Sequence, residues 1–139
     1  MIRNVWSILC KDILTDQETN SVTYIQSIEE AAAAALPVLI APVSIGTLWE
    51  KDSDAQETLV VRVVLVLPSG SEKPLLQSKA LRLKRPRQRL QFKMAGLPVT
   101  EFGRHEVRIE MEMDEKWCIV SRLPVTIRKA GTLPKPAET

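Results

Sequence analysis

A chain of 139 residues that is 45% hydrophobic and 26% charged, with a net charge of +2, has the make-up of one globular domain. No apolar run approaches the roughly 18 residues a membrane-spanning helix needs, and nine prolines against five glycines leave no collagen-like repeat. Asn4 and Ser7 interrupt the apolar residues of MIRNVWSILCKD and no small-residue cleavage site follows, so the reading expects no signal peptide and a cytoplasmic protein.

From the start, IRNVWSILCKDIL sets Ile2, Trp6, Ile8 and Cys10 at alternate positions, the period of a half-buried strand. TDQETNS is a turn, and SVTYIQSI alternates again, so the two segments predict a hairpin. EEAAAAALP predicts one short helix near residues 29–36. Alanine loses no side-chain entropy in a helix, the glutamates suit its N-terminal dipole, and Pro37 stops it.

VSIGTLWE reads as a further strand, followed by the polar loop KDSDAQE. TLVVRVVLVL is the strongest strand signal. Leu59, Val61, Val63, Leu65 and Leu67 form one face; Val60, Val64 and Val66, broken by Arg62, form the other. A strand apolar on both faces is covered on both.

PLLQSKALRLK and RLQFKMA predict a second hairpin around Pro86, with Leu81, Leu83, Leu90, Phe92 and Met94 inward. RHEVRIEMEM alternates Val107, Ile109, Met111 and Met113 with Glu106, Arg108, Glu110 and Glu112. KWCIVSRLPVTIR is the last strand. The polar, Pro-rich residues 130–139 predict a flexible tail after a single domain over residues 1–129. The expected fold is all-β: an antiparallel β-sandwich of about 7–9 strands, immunoglobulin-like or C2-like.

Within LPVTEFGRHEV, Gly103 and His105 occupy the places of the Gly-x-Tyr corner of immunoglobulin-like sandwiches, with histidine in place of tyrosine. Taken with VWSILCKDILTDQETNSVTYI at the start and WCIVSRLPVTI at the end, GRHEVRIEM resembles an uncharacterised family of small bacterial β-sandwich proteins. That resemblance covers most of residues 2–128 and implies a fold and no activity, so it carries no catalytic residues onto this chain.

Signatures of catalysis are missing: there is no Gly-rich phosphate loop, no GxSxG and no HExxH. His105 is the one histidine and is expected in a structural role; Cys10 and Cys118, with no CxxC pair, are expected as free, unreactive thiols. Aspartates fall in turns, where they cap local backbone, so Asp52 and Asp54 are expected to hold no metal, and no cofactor is expected. Trp6 and Trp117 are expected in the core. Trp49, beside Glu50 and Lys51, is the tryptophan whose place stays open.

One asymmetry stands out. Residues 79–93 hold seven Lys or Arg and no acid, and the span 73–93 holds eight, leaving eleven basic against seventeen acidic residues elsewhere. If Glu106, Glu110 and Glu112 lie beside this segment in one sheet, the two charged combs neutralise each other. If not, Arg82, Lys84, Arg85, Arg87, Arg89 and Lys93 form a basic ridge for anions, either nucleic acid or an anionic membrane surface. Nucleic acid is disfavoured, because Phe92, the one aromatic in the segment, points inward and leaves no platform for bases. The favoured expectation is a non-catalytic protein-interaction or assembly module, with a homodimer burying Val60, Val64 and Val66 as one form of it. The alternative is the anion-binding module.

Overall fold

The computed structural model describes residues 1–131. Most of the tail expected over 130–139 therefore lies outside the described residues. Thirteen strands run in chain order: β1 (Ile2–Thr15), β2 (Val22–Ser27), β3 (Glu30–Ala33), β4 (Val38–Ile40), β5 (Val43–Lys51), β6 (Glu57–Leu59), β7 (Val61–Val66), β8 (Glu72–Gln77), β9 (Leu81–Leu83), β10 (Arg87–Met94), β11 (Leu97–Val99), β12 (Gly103–Met113) and β13 (Lys116–Lys129). There is no helix among the described residues, and hence none long and apolar enough to cross a membrane.

Alternating burial folds the eight strands of six or more residues into two sheets. One has the order β10-β5-β1-β2; the other has the order β3-β13-β12-β7-β8. Their inner faces share one core. Leu9, Val43, Ile45 and Trp49 come from the first sheet, and Val61, Val63, Leu65, Val107, Ile109, Val125 and Ile127 from the second. Two small sheets, β6-β9 and β4-β11, add Leu59, Leu83, Leu97 and Val99 to the same cluster.

The helix expected near 29–36 is absent. Glu30–Ala33 runs as β3, parallel to β13, with Thr126 opposite Glu30 and Lys129 opposite Ala33. Two helical turns are marginal alone, because nucleation fixes several residues for a single hydrogen bond. Here the edge of β13 offers inter-strand bonds instead: Thr126 N–H donates to the Glu29 carbonyl and Ala130 N–H to that of Ala33. The second hairpin is likewise absent. β9 pairs with β6 and β10 with β5, so the chain crosses between sheets at Lys84–Pro86 instead of folding back on itself.

Three strands carry a one-residue bulge, at Val5, Leu75 and Val120, and two of these decide which tryptophans face out. Val5 is extra in β1, since Asn4 pairs with Trp49 while Trp6 pairs with the adjacent Leu48. Val120 is extra in β13, since Ile109 pairs with Ser121 while Glu110 pairs with Ile119. Each shift reverses the alternation beyond it. Trp6 and Trp117, both expected in the core, consequently lie on outer faces: Trp6 is 37% exposed, and the Arg62 guanidinium stacks 4.4 Å from the centre of the Trp117 ring. The buried tryptophan is Trp49, fully enclosed. Its Nε1–H donates to Thr47 Oγ1 at 2.6 Å, and that hydroxyl donates to the Leu90 carbonyl at 3.0 Å.

On the outer face of the second sheet, Val64 sits between Arg108 of β12 and Pro74 of β8 and is only 2% exposed. Val60 and Val66 are partly covered. The continuous exposed patch expected of Val60, Val64 and Val66 does not exist in a single chain, which removes the reason for a second copy to cover it. An ion-pair chain lies across this face instead. Glu110, almost fully buried, accepts from Arg62 and, at 2.7 Å, from Arg108 Nε; Arg108 also reaches Glu72.

Burial pushes the Glu110 carboxyl up, but the hydrogen bonds from Arg62 and Arg108 outweigh it and hold the group below its ordinary range. A depressed carboxylate adds stability that is complete above its unfolded pKa and is lost as pH falls through the folded one. Acidification below the ordinary glutamate range is therefore expected to destabilise the wild type more steeply than Glu110→Gln, as read by urea midpoints across pH. At neutral pH, Glu110→Ala is expected to cost about 3 kcal/mol, the lower end for breaking a buried pair, since Arg62 keeps some contact with water.

Candidate anion-binding groove

The sheet order settles the charge question posed by the sequence. β12 lies in one sheet and β10 in the other, so the acidic comb does not face the basic segment. Two of the three acids of β12 are paired within its own sheet, Glu110 by Arg62 and Arg108 and Glu106 by Arg122 at 3.0 Å, while Glu112 stays exposed. The cations of residues 84–89 must find other partners.

β10 is an edge strand whose outer face carries Arg87, Arg89, Gln91 and Lys93, opposite Glu50, Leu48, Gly46 and Ser44 of β5. The tip of the β1–β2 hairpin curls toward β10 across β5. Arg89 Nη2 donates to the Asn20 carbonyl at 2.7 Å, and Gln91 Nε2 lies 3.4 Å from Thr15 Oγ1. Between hairpin and edge strand lies a groove of about 760 Å³. Leu48 lies along its floor, Trp6, Thr15 and Val22 line the hairpin side, and Lys84, Arg85, Arg87 and Arg89 line the other.

The six candidate anion-binding residues thus divide. Lys84, Arg85, Arg87 and Arg89 converge on the groove, while Arg82, opposite Thr58 in the β6-β9 sheet, and Lys93, 3.7 Å from Asp12, do not line it. Among the described residues Lys84 and Arg85 form no ion pair. Arg87 is held by Glu50, through Nε at 3.1 Å and Nη2 at 2.9 Å, and Arg3 reaches the other oxygen of the same carboxylate at 2.5 Å. These hydrogen bonds, Arg3 first and Arg87 second, hold the Glu50 carboxyl below its ordinary range.

The aromatic part of the groove comes from strands other than the basic one, which the sequence reading did not anticipate. Trp6 meets Tyr24 edge to face, with ring centres 5.3 Å apart and planes at 90°. Tyr24 lies over Gly46 of β5. A Cβ at Gly46 would stand 2.3 Å from Tyr24 Cε1, so only glycine leaves room for the ring. The signal available in the sequence was a lone glycine inside a strand pattern, which marks a close approach.

At the other expected site, Gly103 opens β12 with φ +124, and His105 is buried with Nδ1 3.1 Å from the Gly103 carbonyl. The imidazole thus bonds back to local backbone, as a corner tyrosine does with its hydroxyl. Cys118 pairs with Met111, six positions along β12 from His105, or about 20 Å away at strand rise. Cys118 is therefore too far from His105 to form a nucleophile pair with it. Cys10 is buried and donates to the Ser44 carbonyl at 3.6 Å; burial raises its thiol pKa. Asp52 accepts from the Met1 ammonium, and no group of three His, Cys, Asp or Glu among the described residues is placed to hold a metal.

No family model matches the chain, and no curated protein matches it. Among solved structures it is similar to the alkylpurine DNA glycosylase AlkC of Pseudomonas fluorescens, bound to DNA containing an abasic site analog, with 13% identity and a TM-score of 0.54. It is also similar to a β-glucosidase from Listeria innocua, with 12% identity and a TM-score of 0.47 over 82% of this chain and 19% of that one. The glycosylase likeness covers 91% of this chain but only 30% of the glycosylase, and at that identity it speaks to the fold alone.

Proposed function

We propose that this chain is a β-sandwich of the immunoglobulin-like kind with a non-catalytic role, binding a phosphate-rich polyanion in the groove between β10 and the β1–β2 hairpin. The observation that carries the reading is the convergence of Lys84, Arg85, Arg87 and Arg89 on one concave surface, with Lys84, Arg85 and Arg89 lacking any acidic partner among the described residues. Like charges held this close repel one another, and a bound polyanion relieves that cost where water and salt only screen it. Concavity also favours a chain-like anion over a flat bilayer, whose headgroups do not enter a recess. The DNA in the glycosylase structure belongs to that protein and lends this reading no residue.

The wild type is expected to be retained on heparin, and the triple variant Arg85→Ser, Arg87→Ser, Arg89→Ser to elute at clearly lower salt. Its salt-dependence slope should fall by about 2, the value for three fewer phosphate contacts on a flexible polyanion. Equal weak retention of both, with unchanged circular dichroism, removes the proposal. The opposite sign is expected for Glu50→Gln. Freeing Arg3 and Arg87 from their shared carboxylate should lengthen retention and steepen the slope by about 1.

A further inference from the structure

We infer that the polyanion is single-stranded nucleic acid, with a base stacked on Trp6 and neighbouring phosphates held by Lys84, Arg85 and Arg89; this rests on the anion-binding reading above. Phosphate recognition alone needs cations and nothing more. The groove contains more than that: an exposed indole on the same wall-to-wall surface, set there by the Val5 bulge and held edge-on by Tyr24. Three separate parts of the sequence cooperate to present this ring. The bulge turns it outward, Tyr24 braces it, and Gly46 gives Tyr24 the space to lie down. The 37% of Trp6 left exposed is apolar surface that gains nothing from burial in the free protein. That gain comes when a planar, apolar face covers it.

The spacing suits one nucleotide. Trp6, Leu48 and Arg89 form a single row across three adjacent strands. At about 4.8 Å per strand, the indole and guanidinium stems stand about 10 Å apart, within the span from a base to the phosphates beside it. Arg87 and Arg89 alternate along one strand face about 7 Å apart, so they follow a backbone rather than cluster on a point charge. Every nucleobase has a π-face, so this arrangement predicts binding with little sequence preference. In a duplex those faces are stacked on one another and cannot reach Trp6, leaving the cations alone to act.

The test is fluorescence anisotropy with a labelled single-stranded oligodeoxynucleotide, the same strand annealed to its complement, and inorganic polyphosphate as competitor. Single strand is expected to bind tighter than duplex. Trp6→Ala should weaken the single strand about tenfold, the loss of one stacked base, and leave duplex and polyphosphate binding unchanged. Trp6→Phe should recover most of the loss, and Gly46→Ala, by displacing Tyr24, should reproduce part of it. If Trp6→Ala leaves the single strand unaffected while the triple arginine variant abolishes all binding, stacking is overturned and the anion reading stands. If wild type binds none of the three, the anion reading falls as well. Unchanged polyphosphate binding by Trp6→Ala certifies that the variant groove is folded; loss of it by both Trp6 variants overturns the stacking role.

Discussion

The fold depends on alternation of buried and exposed side chains, interrupted at three places by one extra residue: Val5 in β1, Leu75 in β8 and Val120 in β13. Were Val5 paired in regular register instead of bulged, the parity that turns Ile2 toward the core would also turn Trp6 inward, and the same holds for Val120, Leu123 and Trp117. A bulge adds local twist and leaves one residue unpaired in the ladder, and both of these fall where the strand has a neighbour on one side only, β5 beside Val5 and β12 beside Val120. In β13 the Trp117 ring supports Arg62, which in turn satisfies the buried Glu110. In β1 the Asn4 amide spans the bulge, donating to the Trp6 and Leu48 carbonyls and accepting from Ser7 Oγ, while the Trp6 ring meets Tyr24 and lines the groove.

Charge is sorted between the sheets by the same geometry. On the outer face of the second sheet, Arg62, Arg108 and Arg122 each meet a glutamate of β12, so a row that looks acidic in the sequence is balanced in the fold. That sheet has arginines enough of its own to leave the basic segment unmatched. The first sheet offers β10 only Glu50 and Asp12, at opposite ends of the strand. Between those ends, Arg89 turns to a backbone carbonyl for lack of a carboxylate. The basic character of the groove thus arises as much from where β12 went as from the composition of residues 79–93.

Much of this was legible before folding. The inward set Leu59, Val61, Val63 and Leu65 is read directly from alternation, as are the opposed faces of β12, because long strands with one apolar side admit a single register. What failed was local. The alanine run has too little length to nucleate a helix and takes the free edge of β13 instead. The hairpin at Pro86 failed because adjacency in sequence was taken for pairing, while β9 finds its partner in β6. Trp6 and Trp117 leave the core through bulges that no composition signals, and the place of Trp49 stays open in the sequence because polar neighbours at a strand end mask an inward position. The groove was legible in its cations and illegible in its aromatic wall, which comes from residues more than fifty positions away.

β10 has β5 on one flank and no strand on the other among the described residues. A bare ladder of N–H and C=O groups of this length invites pairing with the same strand of another copy, and rows of Arg and Lys are a common guard against it. The cations of β10 therefore have a second use that any ligand would share: they keep neighbouring molecules from zipping edge to edge. Replacing them would remove this protection together with the proposed anion contacts, so solubility, and not affinity alone, limits how far this strand can be neutralised.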